Sequence, residues 1–65
     1  MKRSFTLSGH RTSVALEAEF WLALEHLAAV QGSSLAKLVS EVDAERSADQ
    51  PLASSLRVYA LNATR

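Results

Sequence analysis

The sequence predicts a small, mostly α-helical domain that opens with a short β-ribbon, closes with a short third helix and is stabilised by self-association. Three observations carry this expectation. The chain has 65 residues and no cysteine, so it builds one small core without a disulfide or a thiolate metal site to staple it. Residues 11–16 alternate in polarity as a strand does. From Phe20 onward, apolar residues recur at helical spacing.

The strand comes first. In Arg11-Thr-Ser-Val-Ala-Leu16, Thr12, Val14 and Leu16 point one way and Arg11, Ser13 and Ala15 the other. Six residues cannot pair with themselves, so a partner strand must come from elsewhere. Residues 1–10 are an N-terminal arm or an extra strand. Arg3 to Ser8 also alternates, with Phe5 and Leu7 on one side. Gly9-His10 could close a hairpin onto residues 11–16; otherwise the segment extends the ribbon as an arm or lies loose.

Helix A is expected over 17–31. Phe20, Trp21, Leu24, Leu27 and Ala28 form its apolar face, and Glu17 and Glu19 favour the dipole of its first turn. Gly32 follows as a C′ residue able to take positive φ. Ser34 caps helix B, expected over 34–46, whose apolar stripe is Leu35, Leu38, Val39 and Val42. Ser47 to Gln50 is a polar linker. Pro51 opens a short C-terminal helix over 51–62, with Leu52, Leu56, Tyr59 and Ala60 inward.

Charge is balanced overall but unevenly placed. Residues 1–13 carry Lys2, Arg3 and Arg11 and no acid, a net +3; residues 14–50 net −5, with seven acids against Lys37 and Arg46; residues 51–65 add Arg57 and Arg65. An anion-binding face therefore belongs at the N-terminal end. No apolar run is long enough to cross a bilayer and no apolar stretch follows Met1-Lys2-Arg3, so a cytoplasmic, membrane-free protein is expected. Catalysis has little support, since there is no glycine-rich phosphate loop and no histidine beside a nucleophile. Only His10 and His26 are present, which speaks against a metal site, and no cofactor is implied.

The order strand, helix, glycine turn, helix over residues 10–46 resembles the ribbon-helix-helix family, to which the Arc and MetJ repressors belong. The resemblance rests on the alternating strand Arg11 to Leu16, on Glu19, on the apolar face around Leu24 and Leu27, and on Gly32-Ser33-Ser34-Leu35. Residues 9–17, with Leu-Arg-Val-Tyr-Ala-Leu at 56–61, are similar to a subfamily of small bacterial members. The resemblance implies an obligate, intertwined homodimer in which the strand pairs with its copy and the helices interlock. Val14, Leu16, Phe20, Leu24, Leu27, Leu38, Val39 and Val42 would fill the shared core. It also implies a DNA-binding transcriptional regulator that places the two-stranded ribbon in the major groove. Arg11, Ser13 and Ala15 would then face the bases, the start of helix B at Ser33 and Ser34 would hold a phosphate, and Lys2 and Arg3 would add sequence-independent affinity. Two dimers side by side would form a tetramer on DNA, with Leu56, Tyr59 or Leu61 as a contact.

Simpler readings stand beside these. Arg11, Lys2 and Arg3 could be solvated side chains, and Ser33 and Ser34 are accounted for by capping. Phe20 and Trp21 read as core or interface residues, with the Trp21 indole N–H at a boundary with water. His10 fits a turn and His26 a helix flank. Glu41, Asp43 and Glu45 read as a solvated face or as a docking surface for a basic partner. A hairpin at residues 3–16 would make the dimer sheet four-stranded, wider than the ribbon a major groove admits. That geometry favours the other reading, a protein-interaction module, antitoxin-like or otherwise, without specific DNA binding.

Overall fold

The computed structural model describes residues 1–64; Arg65, counted in the C-terminal charge above, lies outside the described residues. The elements are β1 (Lys2–Leu7), β2 (His10–Ala15), α1 (Ala18–Val30), α2 (Leu35–Glu45) and α3 (Leu52–Ala63). Each helix begins and ends within about one residue of the span its periodicity predicts.

The N-terminal segment folds back. Ser8 and Gly9 both take positive φ, 52° and 81°, the conformation of a two-residue type I′ turn. This turn has the right-handed twist of flanking strands, so β1 and β2 pair antiparallel, from Leu7 opposite His10 to Lys2 opposite Ala15. The pairing continues one step further: the Leu16 amide donates to Met1 O at 3.0 Å, and Met1 N donates to Leu16 O at 2.8 Å. Of the two readings of residues 1–10, arm or extra strand, the extra strand is the one that forms, and the strand before α1 pairs with it inside its own chain. One expectation is corrected. The loop is Ser8-Gly9 rather than Gly9-His10, because two positive-φ positions satisfy the turn and free His10 to enter β2.

The helices are delimited by their caps. At the end of α1, Gly32 has φ 71°; its amide donates to Ala29 O at 3.1 Å and the Ser33 amide to Ala28 O at 2.9 Å. That pair is a Schellman motif, and it turns the chain towards α2. Ser34 caps α2, its Oγ accepting from the Lys37 amide at 3.1 Å. Between α2 and α3, Arg46 gathers the linker. It donates to Asp43 Oδ1 at 2.8 Å and to the carbonyls of Gln50, at 2.9 Å, and Ser47, at 3.3 Å. Pro51 holds φ −59° just ahead of Leu52, and its missing N–H costs no hydrogen bond, because an amide at a helix start has no carbonyl a turn earlier to bond.

The ribbon and the three helices enclose one core. Leu24, Val39 and Leu56 are fully inaccessible, and Leu7, Val14, Leu16, Trp21, Ala28, Leu38, Leu52 and Ala60 are buried around them. Trp21 is 1% exposed, so it does not sit at a boundary with water. Its indole N–H donates instead to the Met1 carbonyl at 2.8 Å, and its ring packs 5.8 Å from that of Phe5. Of the residues expected to fill a core shared by two chains, Val14, Leu16, Leu24, Leu38 and Val39 are already buried within one chain. Phe20, Leu27 and Val42 pack partly buried against them. α3 closes one side of this core with Leu52, Leu56 and Ala60, and Leu56, fully buried there, is not available for a contact between dimers. The radius of gyration is 10.9 Å, against about 10.7 Å expected for a self-contained domain of this length.

An ion pair ties the start of α1 to α3. Glu17, at the N-cap of α1, makes no capping hydrogen bond. Its carboxylate instead receives Arg57 of α3, Nε to Oε1 at 3.0 Å and Nη2 to Oε2 at 3.2 Å. The same guanidinium lies 5.8 Å from the centre of the Phe20 ring. The Arg57 hydrogen bonds, helped by Glu17's own amide, hold the Glu17 carboxyl below its ordinary value of 4.5.

Leu24→Asp is expected to leave the chain unfolded. An unpaired charge at a fully buried site costs roughly 3–5 kcal/mol, about the whole stability of a domain this small; a cooperative thermal transition in circular dichroism from this variant would refute the packing. The Glu17–Arg57 contact makes a separate pH prediction. A depressed folded-state pKa stabilises above the unfolded value and loses that contribution as pH falls through the folded one. Acid titration of native protein should therefore show a loss of stability beginning below about pH 4.5 that is shallower in Glu17→Gln.

Candidate nucleic-acid interface

The ribbon has two faces, and its register assigns every side chain to one of them. Residues opposite each other in an antiparallel pair point the same way. The inner face therefore carries Arg3 with Val14, Phe5 with Thr12 and Leu7 with His10; the outer face carries Lys2 with Ala15, Ser4 with Ser13 and Thr6 with Arg11. All six outer residues are exposed. No carboxylate occurs anywhere in residues 1–16.

The outer face is a row of hydroxyls between two cations. Ser4 Oγ and Ser13 Oγ lie 3.2 Å apart at its middle, where either can donate. Arg11 reaches across to Thr6 Oγ1 at 3.5 Å, a contact too long to hold the guanidinium firmly. Among the described residues, neither Lys2 nor Arg11 has a carboxylate partner. The surface thus offers one exposed fork of N–H donors, one ammonium and three hydroxyls, with Ala15 as a small apolar point. Such a set can hydrogen-bond base edges or phosphates and repels no anion.

The expected site residues divide on this surface. Arg11, Ser13, Ala15 and Lys2 come together on it. Arg3 does not; it is on the inner face, its Nη1 2.7 Å from Glu25 Oε2 and its guanidinium 5.2 Å from the centre of the Trp21 ring. Its charge is neutralised by α1, so Lys2 and Arg3 are not equivalent. Ser34 is occupied as a helix cap, and the Ser33 Oγ is buried with no hydrogen-bond partner. What the start of α2 offers a ligand is its backbone, the Leu35 and Ala36 amides that have no carbonyl a turn earlier in the helix. His10 is exposed next to the turn and His26 on α1.

Ser4 and Thr6 belong to this face and were not singled out from the sequence. The signal for them was present: two alternating six-residue runs separated by Ser8-Gly9, a dipeptide suited to a tight turn. The part played by Met1, whose carbonyl takes the Trp21 indole hydrogen bond, had no sequence signal.

A family model described as a ribbon-helix-helix domain matches residues 1–64, nearly the whole chain. No curated protein and no solved structure matches.

The division of the cations is open to a stability measurement. Arg11→Ala and Lys2→Ala should each change unfolding free energy by no more than about 0.5 kcal/mol, as at other unpaired surface positions. Arg3→Ala should cost roughly 1 kcal/mol, since it removes an ion pair and a guanidinium stacked on a buried aromatic ring. Equal urea midpoints for all three variants would mean that Arg3 is not held as described.

Proposed function

The chain belongs to the ribbon-helix-helix family, and from that membership we propose that it is a DNA-binding transcriptional regulator that enters the major groove with the outer face of its β1–β2 ribbon. The observation that carries this reading is the outer face itself: exposed, free of carboxylates, and bearing Lys2, Ser4, Thr6, Arg11, Ser13 and Ala15. Two strands lie about 4.8 Å apart, and a major groove about 12 Å wide accepts a ribbon of that kind. Arg11 is the residue able to grip guanine O6 and N7 with two hydrogen bonds. Ser4, Thr6 and Ser13 can donate to or accept from neighbouring base edges, and Ala15 can meet a thymine methyl. Lys2 supplies a phosphate contact, and the Leu35 and Ala36 amides at the start of α2 supply a second anchor. Arg3 has no part in this, because Glu25 already holds it.

In this proposal the regulator works as a homodimer. The reciprocal hydrogen bonds of Met1 with Leu16 fix the alternation along the ribbon. The amides and carbonyls of Arg11, Ser13 and Ala15 consequently point away from β1, along an open edge of β2. That edge also favours a second reading, the protein-interaction module. Two copies joined along it would make a four-stranded sheet about 14 Å from first strand to last, broader than the groove. The DNA reading therefore requires the copies to meet elsewhere and leave each ribbon two-stranded.

Selection of bound fragments from a random double-stranded DNA pool, at about 0.15 M salt, decides between them. The expected result is a recovered motif whose guanine preference is blurred in Arg11→Ala by roughly 1–3 kcal/mol of discrimination. Absence of enrichment, from protein verified to be folded, would discard the DNA reading in favour of the interaction module.

A further inference from the structure

α2 and α3 diverge to leave an open groove of about 500 Å³. Its apolar walls are Leu38 and Val42 from α2 and Val58 and Tyr59 from α3, and Glu41 and Glu45 stand on the α2 rim. Leu38, Glu41, Val42 and Glu45 follow the spacing of a single helix face, so the groove runs along α2 for two turns. Val58 is 47% exposed, an apolar side chain facing water at the mouth of a concave surface.

The charges at this rim are uncompensated. Among the described residues the ion pairs are Arg3–Glu25, Arg46–Asp43 and Arg57–Glu17, and neither Glu41 nor Glu45 is in one. The two carboxylates are four residues apart on one helix, an arrangement that repels. A ligand that relieved this repulsion while covering Val42 and Val58 would carry cations flanking an apolar stripe. A second copy of this chain does not fit that description. A two-fold contact through the groove would bring two acidic rims together, and no lysine or arginine lines the groove to offset them. Nor does the chain offer a basic helix to insert: α1 has no lysine or arginine, α2 has only Lys37, and the one such residue of α3, Arg57, is bound to Glu17.

We propose that the α2–α3 groove docks an amphipathic helix of another protein, its apolar stripe against Val42, Val58 and Tyr59 and its lysines or arginines against Glu41 and Glu45. This is helix-in-groove recognition, in which apolar anchors give affinity and rim charges give selectivity. It uses no residue of the ribbon's outer face, so it stands or falls independently of DNA binding.

The test uses the full chain labelled with ¹⁵N and three synthetic peptides of about 15 residues, long enough for four helical turns. One places leucines at helical spacing among lysines, the second replaces every lysine with glutamate, and the third scrambles the first. The expected result is saturable amide shifts confined to residues 38–45, 50 and 55–59 with the first peptide alone. Binding should weaken roughly fivefold or more in a Glu41→Gln, Glu45→Gln double variant and with added salt. Those substitutions are at exposed positions, so the variant keeps its fold, checked by an unchanged Trp21 environment. Equal binding of the glutamate peptide, shifts outside the groove, or an unaffected double variant would overturn the proposal. So would sedimentation showing that the unliganded protein dimerises through the groove, with the double variant dimerising more tightly.

Discussion

Because side chains alternate along a strand, the register that sets Lys2 opposite Ala15 decides at once what enters the core and what faces outward. A slip of one residue would turn Phe5 and Leu7 to solvent and Ser4 and Thr6 inward. The Ser8-Gly9 turn at one end and the reciprocal Met1–Leu16 hydrogen bonds at the other hold that register. The inner face so defined covers Trp21, and the Met1 carbonyl meets the indole N–H that would otherwise be buried without a partner. The polar outer face is the reverse side of the same pattern.

The helices complete an enclosure that the ribbon begins. A chain of 65 residues buries only about 60% of its unfolded surface, which leaves little margin. α3 provides that margin here. Leu52, Leu56 and Ala60 seal the side of the core that α1 and α2 leave open, and Arg57 fastens α3 to the start of α1. Of the residues expected in a core shared by two chains, Val14, Leu16, Leu24, Leu38 and Val39 are buried within one, and Phe20, Leu27 and Val42 keep part of their surface exposed. Any association between copies falls to surfaces still unpaired, such as the β2 edge and the exposed side chains Leu22, Val30 and Leu61.

Charge follows the same partition. The cation on the ribbon's inner face, Arg3, is paired with a helix carboxylate, while those on the outer face, Lys2 and Arg11, have no carboxylate partner. On the opposite account, Glu17, Glu25 and Asp43 are matched by arginines, and Glu41 and Glu45 are left beside an apolar groove. The molecule thus presents a basic surface and an acidic one on separate elements, each suited to a different class of partner.

Much of this was legible from residue order alone. The helix spans, the Gly32 turn, the Ser34 cap and the Pro51 start depend on interactions within a few residues, and such signals are written locally. The inward set Val14, Leu16, Leu24, Leu38 and Val39 was legible too, because periodicity reports which side is buried. Periodicity does not report what does the burying. Whether the cover is a second chain or the same chain's β1 and α3 depends on a two-residue turn and on how three helices close. The partner of Arg3 was hidden for the same reason. Alternation puts Arg3 on the side of Phe5 and Leu7 and Arg11 on the opposite face, but that a carboxylate, Glu25, 22 residues away, receives Arg3 is set by the tertiary fold. Residue order set the local elements and their apolar faces; contacts between residues far apart in the chain settled which of those faces, and which of those charges, were left for a partner.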